Sequence, residues 1–211
     1  MINFLYMNIH RLFIAINIPE RIKNRFEDYE NKWPELPAKW TKSENLHITL
    51  LFLGNVAEGD IPTVLTVVKD LARKYQPFFL KLNKISYGPP KKIPPRMVWI
   101  LAEKNPVLEQ LKNEIEKELA ANNVTFQIED RGFTPHITFA RMNAWELREM
   151  DQEEVPQIDE DIAYDFEAKS MEVMESEMKK FGARYEMLAS CRFGSEGEKE
   201  AKEEDEDIEE E

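Results

Sequence analysis

Hydrophobic and polar positions along the chain follow two periods, one typical of strands and the other of helices. Short apolar runs bounded by proline, glycine or charged residues predict strands, because alternating side chains line the two faces of a sheet. The predicted strands are residues 11–18, 46–54, 77–88, 96–103, 136–142, 165–175 and 184–193.

Apolar residues recur at helical spacing in four of the intervening segments. Pro19 is expected to open a helix over residues 20–33, which Pro34 ends. A second helix is predicted over 60–75 with Asp60 as its N-cap. The other two are predicted over 105–123, with apolar positions at Val107, Leu108, Leu111, Ile115 and Leu119, and over the acidic residues 144–154.

The predicted elements occur in the same order twice. Each half of the sequence reads strand, helix, strand, helix, strand, a unit too small to be stable alone. We therefore expect an α+β fold in which a duplicated unit forms two lobes packed together. A pseudo-twofold axis between the lobes would pass through a central cleft.

The two ends of the chain differ from this body. Residues 195–211 are almost entirely charged or small, which predicts a disordered acidic tail because they have little apolar surface to bury. Residues 1–10, which include His10, are interpreted as an N-terminal extension. The predicted folded domain therefore spans residues 11–194.

Composition restricts the compartment and the class of protein. Hydrophobic residues make up 42% of the 211 positions, as expected of a globular chain. The single cysteine, Cys191, cannot form an internal disulfide and is predicted to be a small core residue. Neither a signal peptide nor about 20 consecutive apolar residues are visible, so we expect a cytoplasmic protein, monomeric and without a membrane partner.

The distribution of charge changes what the net charge implies. The formal net charge of −13 argues at first against a nucleic-acid partner. Residues 195–211 carry a net charge of −9 and residues 146–161 carry −7, so the remainder carries +3. The body of the protein is therefore suited to bind a phosphate group locally.

A short motif repeats within this body. His47 and His136, two of only three histidines, are each followed by Ile and Thr, and they stand 89 residues apart. In a strand, the histidine and threonine of each motif share one face, and the apolar residues share the other. The predicted pairs are His47 with Thr49, His136 with Thr138, and on the opposite face Ile48 with Leu50 and Ile137 with Phe139.

Two imidazoles facing one cleft are typical of acid–base chemistry. Histidine populates both protonation states near neutral pH, so one ring can accept a proton while the other donates one. The threonine hydroxyls and Arg141 could hold a phosphoryl group between the rings. This set of groups predicts hydrolysis of a phosphodiester with no metal or other cofactor.

Other interpretations of the same residues remain open. A histidine in a strand is often purely structural, and each motif taken alone is unspecific. A metallohydrolase would need a third ligand besides His47 and His136, and no HxH or HExxH spacing supplies one. A noncatalytic module that binds nucleotides or RNA ends would retain the cleft without turnover. Nucleophilic catalysis by Thr49, Thr138 or Cys191 lacks a matching motif.

Several ordered segments resemble one known family. RLFIAI, WTKSENLHITLLFLG, PPRMVWI and FTPHITFAR, and more loosely GARYEML, are similar to segments of two-histidine phosphodiesterases, most closely the RNA 2′,3′-cyclic phosphodiesterase or 2′-5′ RNA ligase family. The resemblance covers residues 11–190. It implies a bilobal fold in which two antiparallel-sheet lobes with outer helices surround a central cleft. It also implies hydrolysis of a 2′,3′-cyclic phosphate, at RNA ends or in small cyclic nucleotides, to a 2′-phosphomonoester. Reversible 2′-5′ RNA ligation is left open.

The resemblance also implies roles for individual residues. His47 and His136 fall on the catalytic positions of the family, with His47 as the acid and His136 as the base. Thr49, Thr138 and Arg141 would contact the phosphate, and Phe133 would lie near the base of the nucleotide. Phe139 departs from the commoner leucine, and since it faces the core we expect little effect.

Overall fold

The structure of the protein is a computed structural model that describes residues 8–27, 29–126, 132–151, 153–179 and 182–194. Nine strands of these residues join in one sheet: β1 (Ile9–Asn17), β2 (Ala38–Trp40), β3 (His47–Ala57), β4 (Phe78–Gly88), β5 (Met97–Ala102), β6 (His136–Met142), β7 (Asp159–Ala168), β8 (Ser170–Lys179) and β9 (Gly182–Arg192). The α-helices are α1 (Glu20–Lys23), α2 (Ile61–Lys74), α3 (Pro106–Ala121) and α4 (Ala144–Glu149). The paired strands are antiparallel, so the predicted α+β class is confirmed.

The order of strands in the sheet differs from their order in the sequence. Along the sheet the strands run β7, β4, β5, β6, β3, β1, β8 and β9, and β2 pairs with β6 outside this order. β4 comes from the first half of the sequence but lies among the strands of the second half. β8 and β9 come from the second half but lie beside β1. The halves of the sequence thus exchange strands, while the duplication itself stays a prediction.

The sheet is strongly curved. β7 pairs with β4 and β8 pairs with β1, at distant places in the strand order, yet only Lys169 separates the two strands in the sequence. The sheet must therefore curl until β7 and β8 come together. Its centre is narrow, because β3 and β6 are joined through the single residue pair Ile48 and Ile137.

The main core lies on the side of the sheet to which Ile48 and Ile137 point. Both residues are fully buried, and they belong to one apolar cluster with the inner faces of α2 and α3. The helices α2 and α3 pack against each other, α2 against β8 and β9, and α3 against β3. A second, smaller cluster of Phe13, Ala15 and Met174 lies on the opposite face of β1, as strand alternation requires.

Two predicted helices are shorter than expected. The helix predicted over 20–33 is divided into α1 and a 3₁₀-helix (Tyr29–Lys32), because Phe26 and Tyr29 turn toward the core and pack against Phe139. Tertiary packing there overrides helix propensity. The helix predicted over 144–154 ends at Glu149, before further acidic residues that would face the negative end of the helix dipole.

Several boundaries and one cap also differ. β1 begins at Ile9, because Ile9 and His10 pair with Ala57 and Val56, so the predicted extension contributes two residues to the sheet. The segment predicted as one strand over 165–175 belongs to β7 and β8. The side chain of Asp60 makes no capping hydrogen bond to α2, and β2 was not predicted.

The remaining expectations concern burial and the chain ends. Cys191 and Phe139 are buried, as predicted, whereas Val107 is exposed on α3. The predicted tail at 195–211 lies outside the described residues. In the described part of the chain, no helix is long and apolar enough to cross a membrane.

Candidate active site

The two histidine motifs meet at the centre of the sheet. Antiparallel pairing of Ile48 with Ile137 sets His47 opposite Thr138 and Thr49 opposite His136 on the neighbouring strand. Because the isoleucines point into the core, these four residues share the other face, which we call the histidine face. The structure thus brings together the histidines and threonines that the sequence predicted to share one face.

Each motif is followed by a matching β-bulge. On β3, Leu50 is the extra residue between the pairs that Thr49 and Leu51 form with β1. On β6, Phe139 is the extra residue between the pairs that Thr138 and Ala140 form with β5. In both strands the two residues at the bulge are buried. A bulge reverses the alternation of side chains that follow it.

The bulges determine which side chains stand next to the threonines. Strict alternation would place the residue five positions after each histidine on the core face. The bulges instead turn Arg141 and its counterpart on β3, Phe52, to the histidine face, where both are exposed. Arg141 donates from its guanidinium to Sδ of Met97 at 3.5 Å, and Phe52 contacts the ring of Phe13.

The same backbone contact orients both imidazoles. Nδ1 of His47 lies 2.7 Å from the carbonyl oxygen of Asn45, and Nδ1 of His136 lies 2.8 Å from that of Thr134. A carbonyl oxygen only accepts, so Nδ1–H is the donor in both rings. Nε2 of each ring is then the nitrogen that can accept or release a proton.

His47 is surrounded by aromatic rings. Its ring centroid lies 4.9 Å from that of Phe13 and 5.4 Å from that of Tyr185. Burial is the main cause that lowers the pKa of His47 to about 4, and the charges of His136, Arg141 and Lys23 lower the pKa further against the hydrogen bond to Asn45, which raises it. His47 is therefore neutral at pH 7.

His136 has a different neighbour. Its ring stacks on the indole of Trp99, with centroids 3.7 Å apart and an interplanar angle of 22°. Trp99 lies on β5 opposite Thr138, so its side chain points to the histidine face and leans over the adjacent histidine. Trp99 was not among the predicted site residues, since its stacking depends on the register between β5 and β6.

A second cation near His47 also escaped prediction. Lys23 is only 8% exposed, and its Nζ lies 3.2 Å from Oε1 of Glu20. Its positive charge contributes to the lowered pKa of His47, as does that of Arg141. A lysine in a short helix gives no sequence signal for a site, because lysines on helices are usually solvated. The charges of Lys23 and Arg141 thus both favour the neutral form of His47.

Phe133 lies in the loop that precedes β6, partly buried against the main core. Its predicted place near the base of a nucleotide stays a prediction. For a metal site, the described residues contain no group of three or more His, Cys, Asp or Glu side chains that could hold an ion. The metallohydrolase alternative thus finds no set of ligands in that part of the chain.

Known proteins resemble this chain over most of its length. The model of the LigT-like phosphoesterase family matches residues 12–99. An RNA 2′,3′-cyclic phosphodiesterase of Methanocaldococcus jannaschii is 32% identical over 178 residues, covering 84% of this chain and 98% of the relative. The chain belongs to the LigT-like phosphoesterase family. Another relative of the same name, from Thermotoga maritima, is 28% identical, and the match covers 87% of this chain and 95% of the relative.

Solved structures of LigT-like proteins share the fold. The crystal structure of TT0787 of Thermus thermophilus has a TM-score of 0.75 at 26% identity, over 89% of this chain and all of that one. Escherichia coli LigT, crystallised with 3′-AMP, has a TM-score of 0.68 at 23% identity, over 88% of this chain and 99% of its own. The predicted membership of the two-histidine phosphoesterases is thus confirmed, and the mixed α/β architecture is that of LigT-like proteins.

Proposed function

We propose that this protein hydrolyses the 2′,3′-cyclic phosphate at RNA ends to a 2′-phosphomonoester. The observation that carries the proposal is the pair of imidazoles on the histidine face, each with Nδ1 bound to a carbonyl oxygen and Nε2 available for proton transfer. RNA 2′,3′-cyclic phosphodiesterase is also the name of several relatives about 30% identical to this chain.

The reaction needs one base and one acid. Water attacks phosphorus and loses a proton to the base, the bond to the 3′ oxygen breaks, and that oxygen takes a proton from the acid. We assign the base to His47, because its buried setting keeps it neutral. His136 is then the acid. This order is the reverse of the one implied by the family resemblance.

The phosphate would be held by groups beside the two rings. The hydroxyls of Thr49 and Thr138 stand next to His136 and His47 on the histidine face. Arg141 and Lys23 supply positive charge there, and charge-assisted hydrogen bonds to phosphate oxygens are stronger than neutral ones. The same charges stabilise the negative charge that spreads over the phosphate oxygens in the transition state.

Ligation would use the same groups with a different nucleophile. If a 5′-hydroxyl of a second RNA replaces water, His47 takes its proton and the product is a 2′-5′ phosphodiester. The 3′ oxygen still leaves with a proton from His136. Which nucleophile prevails depends on whether a second RNA end can reach the phosphate.

A single incubation tests the proposed hydrolysis. The purified protein is mixed, in excess chelator, with an oligonucleotide that ends in a 2′,3′-cyclic phosphate, and the product end is identified by mass and by resistance to 3′-phosphatase. We expect a 2′-phosphate, formed about 100- to 10,000-fold more slowly by His136→Asn. Binding of the oligonucleotide without turnover would instead identify a noncatalytic RNA-end module, and loss of turnover in chelator would identify a metal-dependent enzyme.

The assignment of acid and base has its own test. In a phosphodiester with a nitrophenolate leaving group, the nitrophenolate departs without a proton. Hydrolysis of this substrate therefore does not need the acid. The His136→Asn variant should therefore recover most of its activity on this substrate, whereas His47→Asn should stay inactive. Recovery by His47→Asn alone would restore the order implied by the resemblance. Recovery by neither variant would contradict acid–base catalysis by this pair.

A further inference from the structure

The contact between Trp99 and His136 is closer than the ring contacts of His47. The two centroids are 3.7 Å apart and the planes are inclined by 22°, so the imidazole lies on the face of the indole. Indole is the aromatic ring that best stabilises a cation over its face. A protonated imidazole in this position is therefore both held and stabilised.

Gly88 makes this contact possible. A Cβ atom added to Gly88 would lie 2.1 Å from Cδ2 of Trp99 and 2.5 Å from Cε2 and Cγ. Gly88 pairs with Met97 on β5, and its φ lies outside the left-handed region that favours glycine. Space for the indole, and not backbone conformation, is what requires glycine at this position.

The polar atom of the indole gives a further indication. Trp99 is only 7% exposed, and its Nε1 has no hydrogen-bond partner among the described residues. A buried N–H without an acceptor costs free energy, which a phenylalanine at the same place would avoid. The contribution of Trp99 must therefore come from the face of its ring, which His136 covers.

We propose that Trp99 is a positioning residue for His136, and that Gly88 is kept free of a side chain to admit the indole. The bond from Nδ1 to the carbonyl oxygen of Thr134 fixes one edge of the imidazole, and the indole fixes its plane. Together they aim Nε2 along one direction. The inference rests on the proposed function, since it assigns these residues to the acid of that reaction.

The strand position that corresponds to Trp99 beside the other motif carries no aromatic ring. Stacking on an indole is therefore specific to His136. Trp99 lies opposite Thr138, and Ala15 on β1 lies opposite Thr49. His47 is held instead by Phe13 and by Tyr185. The stacking is therefore absent from the counterpart of the same motif.

Kinetics of three variants test the positioning role. Trp99→Leu should lower kcat about 10- to 100-fold with KM changed less than about threefold, because a misplaced catalytic group slows the chemical step. Trp99→Phe, which restores a ring face, should recover most of kcat. Gly88→Ala should reproduce the loss of Trp99→Leu, and Gly59→Ala, whose added Cβ meets nothing within 4 Å, is the matched control.

The double variant Gly88→Ala with Trp99→Leu shows whether glycine acts through the indole. If it does, the double variant should lose no more kcat than Trp99→Leu alone. Multiplied losses would overturn the role of Gly88. Full kcat in folded Trp99→Leu, verified by circular dichroism, would overturn the positioning role of Trp99.

Indole fluorescence tests the stack without any substrate. A protonated imidazole quenches an indole on which it stacks, so part of the emission should change as the pH is lowered. This part should vanish in both Trp99→Phe and His136→Asn and remain in His47→Asn. Its persistence in either of the first two variants, or its absence from the wild type, would overturn the inference. Quenching without hydrolysis would contradict the proposed function but not the stacking of Trp99 on His136.

Discussion

The strands β3 and β6 carry the same motif on the same backbone but surround it with different chemistry. Both place an imidazole two residues after the carbonyl oxygen that fixes it, and both have a bulge that turns the fifth residue after the histidine to the histidine face. That residue is Phe52 on β3 and Arg141 on β6. The repeated backbone fixes where the histidines point, and the neighbouring side chains make them unequal.

The difference follows from what covers each ring. Aromatic rings remove water from His47 and favour its neutral form, and the nearby cations act in the same direction. His136 instead lies on the face of an indole, which fixes the plane of its ring. An asymmetric substrate needs one acid and one base, so a symmetric backbone becomes useful only when its surroundings differ.

The largest expected effect is the loss of either imidazole. His47→Asn and His136→Asn should each lower kcat about 100- to 10,000-fold, the usual range for one acid or base group, as measured with a cyclic phosphate substrate. The double variant should lose less than the product of the two. Thermal melting by circular dichroism serves as the control. A variant that fails to fold would instead assign that histidine a structural role.

The burial of His47 should couple the stability of the protein to pH. Because the pKa of His47 is lowered to about 4, the unfolded chain takes up a proton between about pH 6.5 and 4 that the folded protein does not. Stability should therefore fall as pH decreases through this window, by up to about 3 kcal/mol by pH 4. The measurement is urea unfolding at pH 7 and at pH 4.5.

The variants His47→Asn and His136→Asn separate the contribution of His47 to the pH dependence of stability from the contribution of the many carboxylates. His47→Asn should lose less stability than the wild type over the same pH interval. His136→Asn should keep most of the wild-type loss, because it leaves the burial of His47 in place. Equal pH dependence in the wild type and His47→Asn would contradict the lowered pKa.

A smaller effect should separate the two residues at the bulges. Arg141→Gln should lower kcat/KM about 10- to 100-fold, the range for losing a hydrogen bond to a charged group. Phe52→Gln, at the equivalent position of β3, should stay within about threefold. Arg141→Gln should also move the acid limb of the pH–rate profile to higher pH, because removing a nearby cation raises the pKa of His47. Equal losses in the two variants would mean that Arg141 does not contact the phosphate.

The sequence predicted the site better than it predicted the elements around it. The pairing of His47 with Thr49 on one strand face follows from alternation, which needs no tertiary information. The role expected of Arg141 stays a prediction, and alternation alone would have turned its side chain toward the core. The bulge at Phe139 turns Arg141 back to the histidine face. This bulge depends on the register between β5 and β6, which the sequence of β6 alone does not show.

Residues outside the motifs were missed because their role depends on partners distant in sequence. Trp99 reads as one apolar position in a strand, and only the neighbouring strand shows that it lies under His136. The helix predicted over 20–33 failed for a related reason, because the apolar spacing of Phe26 and Tyr29 serves contacts with Phe139 and not a helix face.

The exchange of strands between the halves has a consequence for how the protein is made. Tyr185, one of the rings that dehydrate His47, lies on the last strand, β9, and is synthesised long after the histidine it covers. β1 likewise waits for β8 to pair with its outer edge. A ribosome that stops after β6 has produced both histidines, but the first still faces water. Translation must therefore reach the final strand before Tyr185 can shield His47 from water.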